Sequence, residues 1–263
     1  MRKLQLLLFF LATIAATCQG LDEVDHGRNY NIYPLRLKSG SGGHHIPGLT
    51  CSSWRLGVET HNIIEWITVP EECEGYVGNY MLGHQYREDS EAVTIHAFRY
   101  AKSLNLTGDG KDTWVFDIDE TTLSNLPYYA KHGFGVNAYN STSFNEWVNL
   151  GVAPALPSSL KLYWKLLNLG IKIVFLTGRP EDQTNITVAN LRNVRFTKWE
   201  KLILKDSSFS GKTAVVYKST QRKKLEDEGY RIVGNIGDQW SDILGTNTGN
   251  RTFKLPDPMY YLS

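Results

Sequence analysis

The feature that most constrains the fold of this chain is an alternation of short apolar segments with longer segments of helical spacing after residue 113. Strands are predicted at residues 113–119, 171–178, 201–204, 230–238 and 251–255. Helices are predicted between them at residues 158–169, 180–191 and 213–228. Strands separated by helices pair in parallel, so the sequence predicts an α/β fold with a doubly wound parallel sheet.

Three of the predicted strands end in polar residues. Asp117 and Asp119 close the first, Thr177 closes the second, and Asp238 closes the fourth. Parallel sheets of this kind bind ligands at the carboxyl ends of their strands. These side chains are therefore expected to share one site.

The pair Asp117 and Asp119 is the most informative motif. Residues two apart on an extended segment point the same way, so their carboxylates repel unless a proton or a cation separates them. A hard cation such as Mg²⁺ suits two oxygen ligands so placed. The alternative, an acid-rich surface turn, fits poorly because the apolar run TWVF leads directly into the pair.

Thr177 lies in the segment FLTGR, where a hydroxyl, the following N–H and a helix N-terminus can hold phosphate oxygens. Threonine is also common at strand ends and helix caps, so the motif alone is weak. Arg179 can meet phosphate or lie in a solvated turn, and we leave it outside the predicted site.

Two further segments carry candidate residues. Lys218 lies in the basic run YKSTQRKK and can neutralise a phosphoryl group, whereas Lys223 and Lys224 are interpreted as part of a solvated face. Asp238 and Asp242 follow the fourth strand and can complete an oxygen-rich metal site. Alone, they can equally form a turn and a helix cap.

Together these motifs resemble those of the haloacid-dehalogenase (HAD) superfamily. DxDxT, LTGR, YKSTQRKKL and GDxxSD occur in the family's order between about residue 113 and residue 256. From Cys51 onward the chain also resembles plant class B acid phosphatases and vegetative storage proteins. That likeness is carried by CSSWRLGVETHNIIEW, VPEEC, VFDIDETTLSN, FLTGRPE and GYRIVGNIGDQWSD.

The resemblance implies a role for each matching residue. Asp117 is the expected nucleophile, and Asp119 is the expected general acid that later serves as base. Thr177 and Lys218 are the expected phosphate ligands. The implied cofactor is Mg²⁺, and its expected ligands are Asp117, Asp119 through its carbonyl, Asp238 and Asp242.

The implied activity is hydrolysis of small phosphate monoesters through an aspartyl-phosphate, which makes the protein a secreted acid phosphatase. The alternative is a vegetative storage protein with weak residual phosphatase activity; some such relatives lack the nucleophile, but Asp117 is present here. Asp119 argues against a dehalogenase, because a halide leaving group needs no acid. We expect an acidic optimum. Asp117 and the phosphate dianion raise the pKa of Asp119 while Mg²⁺ and Lys218 lower it, which leaves the net sign open.

The amino-terminal part is organised differently. Residues 1–20 resemble a signal peptide, with Arg2 and Lys3 before an apolar run; a membrane anchor is the alternative. The predicted location is therefore the secretory pathway, ending in the extracellular space or the vacuole. Residues 21–50 are predicted to be a flexible arm, and its pair His44 and His45 is interpreted as solvated loop rather than a metal site.

Cleavage of the signal peptide removes Cys18 and leaves Cys51 and Cys73, an even number in an oxidising compartment. We expect one disulfide between them, with two buried free thiols as the alternative. N-glycosylation is predicted at the sequons of Asn105, Asn140, Asn185 and Asn250.

The remaining boundaries follow the motifs. Residues 51–110 are predicted to form a helical segment without identifiable chemistry, and residues 111–263 to form the HAD-like core. The insertion at about 122–157 corresponds to a small helical cap, whose aromatics either stack on substrate or form the cap's own core. The formal charge of +1 gives no basic face for nucleic acid. No membrane partner is predicted, and a homodimer is possible from the resemblance.

Overall fold

The computed structural model describes residues 45–46 and 49–263, so the predicted signal peptide, most of the arm and His44 lie outside the described residues. Two short strands, β1 (His45–Ile46) and β2 (Leu49–Thr50), pair antiparallel directly before the first helix.

Five strands form one sheet. They are β3 (Asp112–Phe116), β4 (Lys172–Pro180), β5 (Lys201–Lys205), β6 (Arg231–Gly237) and β7 (Thr252–Lys254). Their order is β5-β4-β3-β6-β7, and every neighbouring pair is parallel. The chain winds outward from β3 to one edge and then returns to the other side of β3. The predicted doubly wound α/β sheet is thereby confirmed, with its switch point at β3.

Nine α-helices accompany the described strands. They are α1 (Cys51–Glu59), α2 (Glu74–Leu82), α3 (His84–Lys102), α4 (Leu126–Tyr129), α5 (Ser141–Leu150), α6 (Pro157–Asn168), α7 (Thr184–Asn193), α8 (Ala214–Asp227) and α9 (Trp240–Ile243). The predicted helix at 180–191 begins later than expected, because Glu181–Gln183 form a 3₁₀ turn before α7. None of the helices in the described part of the chain is long and apolar enough to cross a membrane.

The central strand β3 is buried on both faces. Trp114 and Phe116 join the larger apolar cluster, while Val115 points to the opposite face and joins a smaller cluster with Tyr217 and Leu225 of α8. This burial explains why the strands are continuous apolar runs rather than alternating ones.

The helical segment before β3 packs into the same core as the sheet. Cys51 and Cys73 form the expected disulfide and are both fully buried. Tyr100 of α3 donates a hydrogen bond to the carbonyl oxygen of Val233 at 3.0 Å and packs against Trp114. The segment that lacks chemistry of its own therefore covers one face of the sheet.

The insertion between β3 and α6 holds two short helices, α4 and α5, and a 3₁₀ turn at Gly133–Gly135. Its aromatic rings pack mainly on one another. Tyr128 meets Phe144 edge-on at 5.3 Å, and Tyr129 stacks on Tyr260 of the carboxyl-terminal segment at 5.5 Å. Of the two alternatives for these rings, the structure favours a small core within the insertion.

Candidate active site

Asp117 follows the last residue of β3 and lies at the switch point of the sheet. Its N–H donates to the carbonyl oxygen of Ile236 on β6, which continues the strand pairing and fixes the backbone. Lys218 of α8 donates to Asp117 Oδ1 at 2.5 Å and also to Asp242 Oδ1. All three side chains are less than a tenth exposed, so one ammonium group links two buried carboxylates.

Asp238 completes a cluster of three buried carboxylates. Ligand atoms of Asp117, Asp238 and Asp242 lie within 4.8 Å of one another. Burial raises the pKa of Asp117 well above its usual range, and Asp242 adds to the rise while Lys218 opposes it. Burial and Asp242 likewise raise the pKa of Asp238. Burial alone would lower the pKa of Lys218, but the negative charges of Asp117 and Asp242 outweigh burial and raise that pKa.

The cluster therefore holds more negative charge than Lys218 can neutralise. The hydrogen bonds donated to Asp238 come from neutral groups: Thr121 Oγ1 at 2.9 Å, Gln239 Nε2 at 2.9 Å and Tyr260 OH at 3.2 Å. A set of carboxylate oxygens at this spacing matches the ligand preference of a hard divalent cation. The donor set of these residues thus fits the metal that the sequence implies.

Asp119 turns away from that cluster toward Arg179. The guanidinium reaches both carboxylate oxygens, with Nη2 at 2.7 Å from Oδ1 and Nε at 3.0 Å from Oδ2. Burial alone would raise the pKa of Asp119, but the charge and hydrogen bonds of Arg179 outweigh it, and the pKa lies below its usual value. Arg179, which the sequence interpretation left outside the site, is thus the nearest charged partner of the expected general acid.

Thr177 lies near the end of β4 and is fully buried. Its Oγ1 accepts from the N–H of Arg179 at 3.1 Å and lies 3.5 Å from Asp119 Oδ2. The next residue, Gly178, is exposed, and a Cβ built there would meet no atom within 4 Å. The backbone beyond Thr177 therefore borders open space at the site.

The turn after Asp119 depends on Glu120, a residue to which the sequence analysis gave no role. Glu120 has a φ of 52°, in the left-handed region that non-glycine residues seldom adopt. Its buried carboxyl group accepts from the N–H of Asn125 at 2.5 Å. Asn125 in turn donates to Asp119 Oδ1 at 2.8 Å and accepts from Trp147 of α5 at 2.9 Å. These contacts link the orientation of Asp119 to the inserted helices.

Asp242 is held at its main chain as well as its carboxylate. Arg222, one turn after Lys218 on α8, is fully buried and donates to the carbonyl oxygens of Asp242 and Leu244, both at 2.6 Å. Burial lowers the pKa of Arg222 to about 10. Gly237 permits this arrangement, because a Cβ there would collide with the side chain of Asp242. Lys218 and Arg222, one turn apart on α8, thus bind the carboxylate and the carbonyl oxygen of Asp242, respectively.

The structure brings together all six residues predicted for the site: Asp117, Asp119, Thr177, Lys218, Asp238 and Asp242. Lys223 and Lys224 are exposed, as interpreted. Sequence reasoning missed Glu120, Asn125, Arg179 and Arg222. Only Arg179 carried a usable signal, because it directly follows the LTG segment. The four sequon asparagines are exposed, and Asn140 also caps α5.

Comparison with known proteins adds independent information. Residues 38–263 match the model of the HAD superfamily, subfamily IIIB (acid phosphatase). The chain is 50% identical over 262 residues to a stem 28 kDa glycoprotein of Glycine max, covering 99% of each protein. It is 52% identical over 214 residues to acid phosphatase 1 of Solanum lycopersicum, covering 81% of this chain and 84% of that protein.

A vegetative storage protein is also among the relatives. Vegetative storage protein 2 of Arabidopsis thaliana is 42% identical over 263 residues, covering 98% of this chain and 97% of that protein. Among solved structures, the class C acid phosphatase from Bacillus anthracis superimposes with a TM-score of 0.58 at 20% identity. That alignment covers 80% of this chain and 86% of the bacterial one, and it supports the fold alone.

Proposed function

The chain belongs to the acid phosphatases of HAD subfamily IIIB, and from this premise we propose that it hydrolyses small phosphate monoesters through a phosphorylated Asp117. The observation that carries the proposal is the contact between Lys218 Nζ and Asp117 Oδ1, made at the switch point of the sheet. A carboxylate held there by a cation is oriented toward the ligand edge and is exposed to little water.

The reaction has two half-steps. In the first, an Asp117 oxygen bonds to phosphorus, the bond from phosphorus to the leaving oxygen breaks, and Asp119 gives that oxygen a proton. In the second, Asp119 takes a proton from water, the water oxygen bonds to phosphorus, and inorganic phosphate leaves Asp117. Lys218 and the hydroxyl of Thr177 orient the phosphoryl oxygens. Asp119 is restored to its protonated form at the end of the cycle.

The proposed cofactor is Mg²⁺, held by the carboxylates of Asp117, Asp238 and Asp242 and by the carbonyl of Asp119. When bound, it supplies positive charge that offsets the negative charge of the transferring phosphoryl group. Glu120, Gln239 and Arg222 keep the ligand residues in place through the contacts described above.

The pairing of Asp119 with Arg179 supports an acidic working range. A general acid must carry its proton before it can donate it, and Arg179 holds the pKa of Asp119 below its usual value. The fraction of protonated Asp119 in the free enzyme therefore rises as the pH falls. The phosphate dianion of the substrate places negative charge beside Asp119 and competes with it for the guanidinium of Arg179. Both effects favour the protonated form of Asp119 in the complex.

The test is a phosphatase assay of the purified protein before and after dialysis against EDTA. We expect release of phosphate from an aryl phosphate to stop on chelation and to return with Mg²⁺. Ca²⁺ should restore less, because it is larger and prefers more ligands. Full activity in EDTA would contradict the metal assignment, and no activity under any metal or pH would contradict the enzymatic proposal.

We also place the protein in the secretory pathway, ending in the extracellular space or the vacuole. The Cys51–Cys73 disulfide and the exposed sequon asparagines are compatible with an oxidising compartment. Determination of the amino terminus of the mature protein tests this proposal, because an intact Met1 would contradict cleavage of residues 1–20.

A storage role is the second candidate, favoured by the names of two relatives, vegetative storage proteins 1 and 2 of Arabidopsis thaliana. The two roles differ in turnover rather than in fold. A high abundance combined with a turnover number far below that of the tomato acid phosphatase would favour storage. The intact set of Asp117, Asp119 and Lys218 favours catalysis.

A further inference from the structure

The proposed general acid, Asp119, is bound by Arg179 and by the side chain of Asn125. Asn125 follows the strand-end motif on the insertion side, and it is fully buried. Its Nδ2 donates to Asp119 Oδ1 at 2.8 Å. A hydrogen bond to a charged group is stronger than one between neutral groups, and a buried one is costly to lose. Asn125 therefore helps to fix the direction in which the Asp119 carboxylate points.

The two oxygens of the Asp119 carboxylate are engaged unequally. Oδ1 accepts from Asn125 Nδ2 at 2.8 Å and from Nη2 and Nε of Arg179 at 2.7 and 3.2 Å. Oδ2 accepts from Arg179 Nε at 3.0 Å, and its other polar contact among the described residues is the hydroxyl of Thr177 at 3.5 Å. Each oxygen offers about two lone pairs, so Oδ1 is filled and Oδ2 has room for a further partner. Oδ2 is also the oxygen that Thr177, an expected phosphate ligand, contacts.

Trp147 of α5 fixes which end of the Asn125 amide faces Asp119. The indole Nε1 lies 2.9 Å from Asn125 Oδ1, and an indole N–H can only donate. The amide oxygen therefore faces the indole, and the NH₂ group faces the carboxylate. The main-chain N–H of Asn125 is held as well, because it donates to the buried carboxyl group of Glu120 at 2.5 Å. Neither a flip of the amide nor a shift of its backbone is possible without the loss of a hydrogen bond.

The same helix also contacts the segment that carries Arg179. Gln183, in the 3₁₀ turn after β4, donates from Nε2 to Asn145 Oδ1 of α5 at 3.0 Å. Arg179 itself donates from Nη1 to Thr187 of α7 at 3.2 Å. The insertion is thus joined by hydrogen bonds to both of the strand-end segments that supply the ion pair of Asp119 and Arg179.

We propose that Asn125 and Trp147 are positioning residues for proton transfer, and that the insertion takes part in catalysis through them rather than by contact with the substrate. They hold Asp119 so that Oδ1 is taken up by the amide and the guanidinium while Oδ2 carries the proton toward the leaving oxygen. In this step the Oδ2–H bond breaks, the leaving oxygen gains the proton as its bond to phosphorus breaks, and Asp119 is left as a carboxylate. The inference rests on the proposed phosphatase activity and adds to it a role for the insertion.

The test is Asn125→Ala, assayed on an alkyl phosphate and on an activated aryl phosphate. We expect kcat on the alkyl phosphate to fall about tenfold to a hundredfold, because a misplaced acid delivers its proton poorly. KM should change little. The activated aryl phosphate should lose far less, since its departing oxygen hardly needs a proton, so the ratio of alkyl to aryl turnover should fall. Trp147→Phe keeps an aromatic ring and removes the indole donor, and it should lower the same ratio by a smaller factor.

Asn190→Ala is the matched control. Asn190 of α7 is likewise a buried amide that makes two hydrogen bonds to the insertion, donating to the carbonyl oxygen of Ala153 at 2.8 Å and accepting from its N–H at 3.1 Å. It is not among the contacts of Asp119. A merely structural role for Asn125 predicts that both variants lower the melting temperature and keep the alkyl-to-aryl ratio. A positioning role predicts that Asn125→Ala alone lowers the ratio.

An unchanged ratio in Asn125→Ala, or an equal fall in Asn190→Ala, overturns the proposal. If Asn125→Ala does not fold, Trp147→Phe decides, and it must lower the ratio. If the wild type turns over neither ester, the proposed activity fails. The positioning contacts are then judged by nuclear magnetic resonance of the Trp147 indole N–H, identified by its loss in Trp147→Phe. That resonance should shift more in Asp119→Asn than in Asn190→Ala, and equal shifts overturn the proposal.

Discussion

The amino end and the carboxyl end of the sheet each carry a cluster of charged side chains, and the two clusters differ in their exposure to water. At the amino end, Arg231 pairs with Asp109 and Asp112. At the carboxyl end, Lys218 pairs with Asp117 and Asp242. Each cluster has one cation between two carboxylates. The Arg231 side chain is 41% exposed and that of Lys218 only 7%, so water solvates the first cluster and hardly reaches the second.

This difference decides the sign of the pKa shifts. Hydrogen bonds from Arg231 lower the pKa of Asp109, and together with Thr107 they overcome burial and lower the pKa of Asp112. At the other end burial dominates, and the pKa values of Asp117 and Asp238 rise. An excess of negative charge that water solvates is compatible with a role in the fold alone, whereas a buried excess marks a site that needs a further ion or ligand.

Among substitutions at the two clusters, Asp117→Asn should have the largest effect on catalysis. We expect kcat to fall at least about a thousandfold, because the nucleophile is lost. The fold should survive and the metal-free protein should melt no lower, because Lys218 keeps Asp242 as its partner and one of three mutually repelling buried carboxylates is removed. Phosphate release and thermal unfolding measure the two effects. Asp227→Asn, an exposed site on α8, is the control; retained turnover in Asp117→Asn would disprove the assignment.

Asp119→Asn should have the next largest effect, and its size should depend on the leaving group. An alkyl phosphate needs a proton on its departing oxygen, so its kcat/KM should fall by about 10²–10⁴. An activated aryl phosphate should lose far less. Steady-state kinetics on both substrates decide the matter, and equal losses would show that Asp119 does not protonate the leaving oxygen.

Arg179→Gln should change the pH profile more than the fold. Without the guanidinium, burial prevails and the pKa of Asp119 rises, so activity should persist to higher pH than in the wild type. The readout is kcat/KM against pH. Arg192→Gln on α7 provides the control, because Arg192 is exposed and is not among the contacts of Asp119. An unchanged basic limb would mean that Arg179 does not set the titration of the acid.

Added Mg²⁺ should stabilise the carboxyl-end cluster. At a concentration about a hundredfold above its dissociation constant, a ligand that binds only the folded state adds about 2.7 kcal/mol of stability. We expect the melting temperature of the wild type to rise on addition of Mg²⁺ and that of Asp238→Asn to respond much less. A full shift in Asp238→Asn would remove Asp238 from the ligand set.

Arg231→Gln should have the smallest effect. A carboxylate whose pKa is lowered on folding stabilises the fold above its unfolded pKa, and that contribution is lost as the pH falls through the folded pKa. The variant should thus be slightly less stable than the wild type at neutral pH, and the difference should shrink in acid and in high salt. Urea unfolding at two pH values and two salt concentrations measures it. A large loss of unfolding free energy that does not depend on salt would contradict our interpretation that the Arg231 cluster is solvated by water.

The sequence predicted the sheet and the six site residues because both depend on local signals. Apolar runs mark β3, β4 and β6, and the polar residues at their ends must meet once the strands pair in parallel. Arg179 and Arg222 lacked such a signal. An arginine at a strand end or on a basic helix looks the same in sequence whether it is solvated or buried. Arg179 lies 60 residues from its partner Asp119, and Arg222 lies 20 residues from Asp242, whose carbonyl oxygen it binds.

The Cys51–Cys73 disulfide has a consequence for the way this fold can diversify. Glu65 and Trp66 lie between the two cysteines, on a loop whose ends are covalently fixed in the core, and they form one wall of a cleft at the carboxyl edge of the sheet. A loop anchored in this way tolerates changes of length and composition at little entropic cost, as recognition loops on a rigid framework do. Selection can therefore reshape that wall residue by residue, while the interlocked groups around Asp117 must be conserved together.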